Sequence, residues 1–315
     1  MQQEHVDAGK AIQQRTGKTF HLATRLLPAR VRRPTYVLYG FFRIADEVVD
    51  DARGVPPDEQ AERLEALRAQ ALGEEPADDR ILEAFQDLRD RYEIPEETID
   101  AFVDAMLADI HTDRYESYGD LETYMRGSAA AVGEMMTLVM EADEPATALP
   151  HAKRLGEAFQ LTNFLRDVRE DVLERDRVYL PVETLHRHGA SVEQVEALSF
   201  SESFADAMID ELHRAERLYH EGVAGIRYLP EDCQFPVLAA AVLYAEHHRV
   251  IRARGYDVLA EEPALSTARK LWVLARARWH WHWNRDPEAV FHRVSAVSAG
   301  ETGSPGPGPG DHFPT

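Results

Sequence analysis

Two stretches of this chain, "YVLYGFFRIADEVVDD" (36–51) and "GEAFQLTNFLRDVREDV" (156–172), set carboxylates into helices otherwise as apolar as a protein core. At 100° per residue, Tyr39, Arg43, Asp46 and Asp50 fall within about 60° of arc on one face. Leu38, Phe41, Phe42, Ile44, Val48 and Val49 surround that stripe. In the second stretch Gln160, Asn163, Asp167 and Asp171 also share one narrow face, with Arg166 beside it and Leu161, Phe164 and Leu165 around it. An ordinary surface helix has a broad polar face, so a thin polar seam through apolar surroundings implies the wall of a cavity. Carboxylates on such a wall repel each other and lose hydration, and they require a cation. A hard divalent ion such as Mg²⁺ suits them and usually adds phosphate oxygens to its shell. Solvated helix ends would have little use for Gln, Asn and Arg in register with the acids. "DIHTD" (109–113) has the same acid spacing but lies at a helix end beside polar residues, and it reads as a decoy.

Helical periodicity dominates the rest of the chain and strand signals are scarce. Helices are expected at about 19–27, 35–51, 57–72, 79–92, 96–111, 119–141, 151–176, 201–226, 235–255 and 266–284. Pro, Gly and acidic clusters such as "GEEPADD", "EADEPATALP" and "RVYLP" mark the breaks. No repeat or long linker divides the chain. The expectation is one all-α domain over residues 1–290 and a disordered Gly/Pro-rich tail over 291–315.

The formal charge is −21, and only Lys10, Lys18, Lys153 and Lys270 among the 35 basic residues are lysine. A dispersed acidic surface nearly free of lysine points to a high-salt cytoplasm, where ionic screening relieves self-repulsion. No basic stripe exists to displace counterions, which excludes nucleic acid as a partner. With Cys233 alone, an internal disulfide and a cysteine zinc site are excluded. "MQQEHVDAGK" lacks the features of a signal peptide, and the longest apolar run, 235–245, is too short to span a bilayer. A soluble cytoplasmic protein is expected. Peripheral contact with a membrane stays open, and nothing specifies an oligomeric state.

Two facing carboxylate helices with arginine nearby suit the ionisation of an allylic diphosphate, in which cations bridge the acids to the leaving group. The rival all-α chemistry, a di-iron bundle, needs two Glu-x-x-His pairs, and only "ETLH" (Glu183, His186) fits. The segments "TGKTFHLATRLLP" (16–28), "YVLYGFFRIADEVVDD", "YMRGSAAAVGEMM" (124–136), "QLTNFLRDVREDV" (160–172) and "RVYLP" (177–181) together resemble the squalene/phytoene synthase family. The resemblance covers about residues 10 to 285. It implies the isoprenoid synthase fold, a single helical domain around a central cavity, and condensation of two prenyl diphosphates with Mg²⁺ (or Mn²⁺ in its place). By position, it implies metal binding by Asp46, Asp50, Asp167 and Asp171, and diphosphate contacts from Arg43, Arg166, Lys18 and Arg269. Tyr39, Gln160 and Asn163 would position substrate, Tyr179 would stand beside the diphosphate, and Tyr244 would line the cavity or simply fill the core.

Several positions depart from the family pattern. Glu47 stands where a second Asp is common, Arg169 replaces a common Gly, and Asp176 stands where Gly-Arg usually precedes the YLP-like element. Ala130 replaces a common Gly in the helix facing the tails and would narrow the tunnel by a methyl. The "VYLP" element resembles the phytoene-forming members, which end by proton loss without NADPH. Thr24 lies one helical turn from Phe20, and its small side chain leaves room for a C20 tail. Geranylgeranyl diphosphate is therefore the expected substrate and phytoene, reached through prephytoene diphosphate, the expected product. The alternatives are a squalene or dehydrosqualene synthase using farnesyl diphosphate, and a non-catalytic relative acting in assembly. The latter should lack motif acids, and this chain keeps all four.

Overall fold

The computed structural model describes residues 22–50 and 55–297, the side chain of Asp50 excepted. Lys18 and Phe20 lie outside the described residues. Among those described there is no strand, only an isolated parallel bridge between Arg114 and Val178. The helices are α1 (Ala29–Asp50), α2 (Pro57–Leu72), α3 (Arg80–Tyr92), α4 (Glu96–Asp109) and α5 (Tyr118–Met125), which leads through a π-turn at Arg126–Ala130 into α6 (Ala131–Met140). There follow α7 (Pro145–Arg166), α8 (Val168–Arg175), the short α9 (Val182–Arg187) and α10 (Val192–Glu196), then α11 (Glu202–Ala224), α12 (Glu231–Ala253), α13 (Thr267–Trp283) and α14 (Pro287–Val294).

Helix α7 runs through the middle, packed against α11, α6, the π-turn and α12. Two glycines allow that closeness. A Cβ on Gly156 of α7 would sit 2.4 Å from the Ala129 carbonyl oxygen, and one on Gly222 of α11 would sit 2.7 Å from the Leu155 backbone. Only a residue without a side chain fits either approach. On the other side α1 buries Leu38, Phe41 and Ala45, and the Phe41 ring stacks on Phe85 at 4.0 Å between centroids. The two acid-bearing helices are thus held by packing on their apolar faces, which leaves their polar seams free for the interior.

Several boundaries differ from the sequence expectation. Helix α1 begins at Ala29 and runs through Pro34, and α7 begins at Pro145 and runs through Pro150. Each proline is the sixth residue of its helix, past the four N–H groups without an intrahelical partner, so each forfeits one i→i−4 bond that the rest of a 22-residue helix outweighs. The expected continuous helix over 119–141 contains the π-turn, and the expected helix over 151–176 breaks at Asp167 (φ −96°, ψ 13°). The "ETLH" segment, which reads as a loop, forms α9. Helix α14 crosses the expected domain boundary at residue 290 and buries Val290, Phe291 and Val294.

Candidate active site

The polar seams of α1 and α7 meet across a chamber of about 820 Å³. Tyr39, Arg43 and Asp46 line it from α1, and Gln160, Asn163, Arg166 and Asp167 line it from α7 and its end. Tyr244 faces the same space from α12, so it is a cavity residue. Beyond the Phe159 ring lies a second, narrower cavity of about 120 Å³, walled by apolar and small residues such as Leu27, Met136, Leu155 and Ile226. Val132, Gly156 and Phe159 line both spaces, so the polar chamber and the apolar tunnel adjoin. Thr24 is buried in the tunnel wall.

The charged groups are arranged in pairs. Arg166 holds Asp167 with two hydrogen bonds, and Glu262 stands 4.0 Å from the same guanidinium. Arg43 Nε donates to Glu47 at 3.2 Å, so the residue standing for a second Asp orients an arginine. The break at Asp167 turns α8 so that Glu170, not Asp171, lines the chamber. Asp171 lies just behind, where Arg175 Nη1 donates to it at 3.0 Å and to Glu170 at 3.1 Å. Burial pushes the Asp171 carboxyl up to about 8, and burial likewise raises Asp167 despite its Arg166 partner. Both acids are desolvated beyond what the nearby arginines offset. That surplus suits a bound cation, and the donors are the hard oxygens that such a cation takes. Among the described residues, no three His, Cys, Asp or Glu side chains cluster closely enough to hold a metal ion by themselves.

Tyr179 is set back from the chamber. Its ring stacks on Phe164 at 3.9 Å and on Tyr124 at 6.1 Å, and Tyr124 is the residue that faces the cavity. Asp109 of the "DIHTD" segment is buried and accepts from Arg177 Nη1 at 2.8 Å and from the Tyr124 hydroxyl at 3.4 Å. Far from a solvated end, it anchors the loop that carries Tyr179. Arg269 is not in the chamber lining, because its guanidinium binds the buried Glu246 at 2.7 and 2.8 Å. Its neighbour Lys270 faces the chamber. Ala130 does not narrow the tunnel, since the π-turn directs it to an outer groove beside Glu134 and Lys153 and brings Ser128 and Ala129 to the chamber.

Sequence reasoning missed Tyr124, Glu170, Arg175, His247, Glu262 and Lys270. Lys270 could have been found by the reasoning applied to Lys18, as a lysine retained in a lysine-poor chain. His247 donates from Nδ1 to the Tyr244 carbonyl at 3.1 Å, and burial drives it down to about 3, so its ring stays neutral in the chamber. Tyr244 is pushed up to about 12 by burial and keeps its proton.

Residues 13–272 match the family model for squalene/phytoene synthase. The phytoene synthase of Rhodobacter capsulatus is 34% identical over 271 residues, covering 84% of this chain and 78% of that protein. The 15-cis-phytoene synthase of Synechococcus elongatus is 32% identical over 278 residues, covering 83% and 88% respectively. Among solved structures, a dehydrosqualene synthase in complex with ligand superposes with a TM-score of 0.80 at 26% identity, over 90% of this chain and 98% of that one. The chain belongs to the squalene/phytoene synthase family.

Proposed function

We propose that the chain is a phytoene synthase, a prenyltransferase that joins two geranylgeranyl diphosphates head to head. The observation that carries the reading is that a charged chamber adjoins an apolar tunnel across Val132, Gly156 and Phe159, each lined by the residue types that one half of a prenyl diphosphate needs. In this reading Asp46, Asp50, Asp167 and, from its place just behind Glu170, Asp171 would hold Mg²⁺, for which Mn²⁺ is a substitute, and Arg43, Arg166 and Lys270 would contact the diphosphates. The bound cation supplies charge neutralisation for the departing diphosphate. Tyr39, Gln160 and Asn163 fix the head group, so that the C–O bond breaks with the tails already in line. The faces of Phe42, Phe159 and Tyr244 stabilise the allylic cation that forms, and the apolar walls exclude the water that would quench it. A second ionisation, of prephytoene diphosphate, ends in proton loss and needs no NADPH. The acidic, lysine-poor composition supports a high-salt medium for this enzyme.

The test uses labelled geranylgeranyl diphosphate and protein stripped with EDTA. A hydrocarbon should form when Mg²⁺ is restored and not before. A hydrocarbon formed in the presence of EDTA, or none under either condition, would overturn the reading.

A further inference from the structure

Helix α12 carries two adjacent histidines in opposite surroundings. His248 is fully buried, its Nε2 meets the Thr162 hydroxyl at 3.0 Å, and Glu216 stands 3.6 Å from its Nδ1. Its polar atoms hold α12 to α7 and α11. His247 turns the other way and is the one histidine among the described residues in the lining of the polar chamber. At 100° per residue, Ala240, Tyr244 and His247 fall within about 60° of arc on one face of α12. Ala240 lines the tunnel, Tyr244 stacks on Phe159 where tunnel and chamber adjoin, and His247 lines the chamber beyond them. The His247 ring centroid is 6.5 Å from that of Tyr244. The imidazole thus stands beside the level at which the proposed reaction forms its carbocations.

Its ring is fixed and neutral. Nδ1 donates to the Tyr244 carbonyl at 3.1 Å, so the single proton of the neutral ring sits there and Nε2 keeps its lone pair. Burial first, and then the charge of Arg166, oppose a second proton. The other strong acceptors in the chamber are paired with cations. Arg166 holds Asp167, Arg175 binds Glu170, and Glu262 stands beside Arg166. Asp46 belongs to the proposed Mg²⁺ set, and the Tyr244 hydroxyl keeps its proton. The closing proton loss of the proposed reaction needs a base beside the cation, and the unprotonated imidazole is the strongest one left.

We propose that His247 is the base that removes the last proton, through Nε2. The assignment rests on the phytoene synthase reading. The carbocation that follows departure of the second diphosphate carries a C–H bond next to its charge. As that bond breaks, its electron pair becomes the second bond of the new C=C, and the proton goes to Nε2. No oxidant or reductant enters. The imidazolium then gives the proton to water as the product leaves. A hydrogen beside a carbocation is acidic enough for a weakly basic imidazole to accept it. The low proton affinity of His247 is therefore no obstacle, and it leaves the lone pair available at neutral pH.

The experiment supplies prephytoene diphosphate directly, with Mg²⁺ and oxygen-labelled water, to the wild type, His247→Phe and His247→Leu. Circular dichroism and melting establish the fold of each. The wild type should yield phytoene. Diphosphate release by the variants should stay near the wild-type rate, because ionisation precedes the proton transfer. Their cation, left without its base, should be captured by water. The ratio of phytoene to labelled alcohol should fall about a hundredfold, at the lower end of what a positioned base contributes. If His247→Phe loses helicity, His247→Leu, which is smaller, carries the same test. An unchanged product ratio in a folded variant would assign the proton to the departing diphosphate and overturn the proposal. Arrested diphosphate release in the folded variants would make His247 a binding or packing residue and overturn it as well. A wild type that leaves prephytoene diphosphate intact would instead overturn the phytoene synthase reading, and the proposal with it.

Discussion

The rings of Phe159 and Tyr244 stack at 4.5 Å between centroids, 21° from parallel, where the charged chamber gives way to the apolar tunnel. In the proposed reaction the head of a prenyl diphosphate and its tail would part company at that level. A carbocation generated there would face ring quadrupoles and not water.

Phe159→Leu keeps most of the volume but removes the π face. A desolvated cation–π contact is worth about 2 kcal/mol, which corresponds to roughly thirtyfold in rate. The kcat of Phe159→Leu should fall by about that factor while Phe159→Tyr stays near wild type, as single-turnover assays would show. Equal activity of the two variants would remove Phe159 from the chemistry.

Asp46→Asn and Asp167→Asn should each abolish turnover without loss of helicity, because each takes a charge from the set that neutralises the diphosphates. Product formation under saturating Mg²⁺, alongside circular dichroism, checks this. Wild-type rates in either variant would contradict the paired-carboxylate reading.

Asp171 gives the site a pH signature. Its carboxyl is pushed up to about 8 in the folded protein by burial, against about 3.9 for a free aspartate. The folded state then binds more protons than the unfolded chain between these values, so stability falls as pH rises through the window. A cation that needs the ionised form must displace that proton. Mg²⁺ should bind more tightly at pH 8.5 than at pH 6.5 and should release protons that an indicator dye detects near neutrality. Asp171→Asn should reduce the release and flatten the melting temperature between those two pH values. Unchanged release in the variant would assign the proton elsewhere.

The dispersed charge of −21 should make the fold dependent on salt. Raising KCl from ~0.1 M to ~3 M shortens the Debye length from roughly 10 Å to below 3 Å, and the melting temperature should rise markedly across that range. A flat profile would remove the high-salt reading.

Much of the site was legible because it is written in local periodicity. Tyr39, Arg43 and Asp46 share one face of one unbroken helix, and spacing alone placed them together. Gln160, Asn163 and Asp167 were legible for the same reason. Asp171 followed only in part, because the break at Asp167 is a backbone event without a proline or glycine to announce it. The π-turn hid in the same way, and with it the outward turn of Ala130. Glu262, Lys270 and His247 reach the chamber through tertiary packing of α12 and α13, which a single-helix pattern does not encode. Arg269 came from the resemblance, and what draws it out of the chamber is Glu246, an acid 23 positions away that no local pattern links to it.

Competition tests most directly whether two C20 substrates share one chamber and tunnel. Wild-type protein with Mg²⁺ and no reductant receives equal amounts of geranylgeranyl and farnesyl diphosphate carrying different labels, beside Thr24→Phe treated identically. The wild type should form mainly phytoene. The variant should lose C20 use far more than C15 use, because filling the tunnel wall carries an overpacking cost of roughly 1–3 kcal/mol borne by the longer tail. A wild type that prefers farnesyl diphosphate, or that forms no hydrocarbon until NADPH is added, would contradict the account.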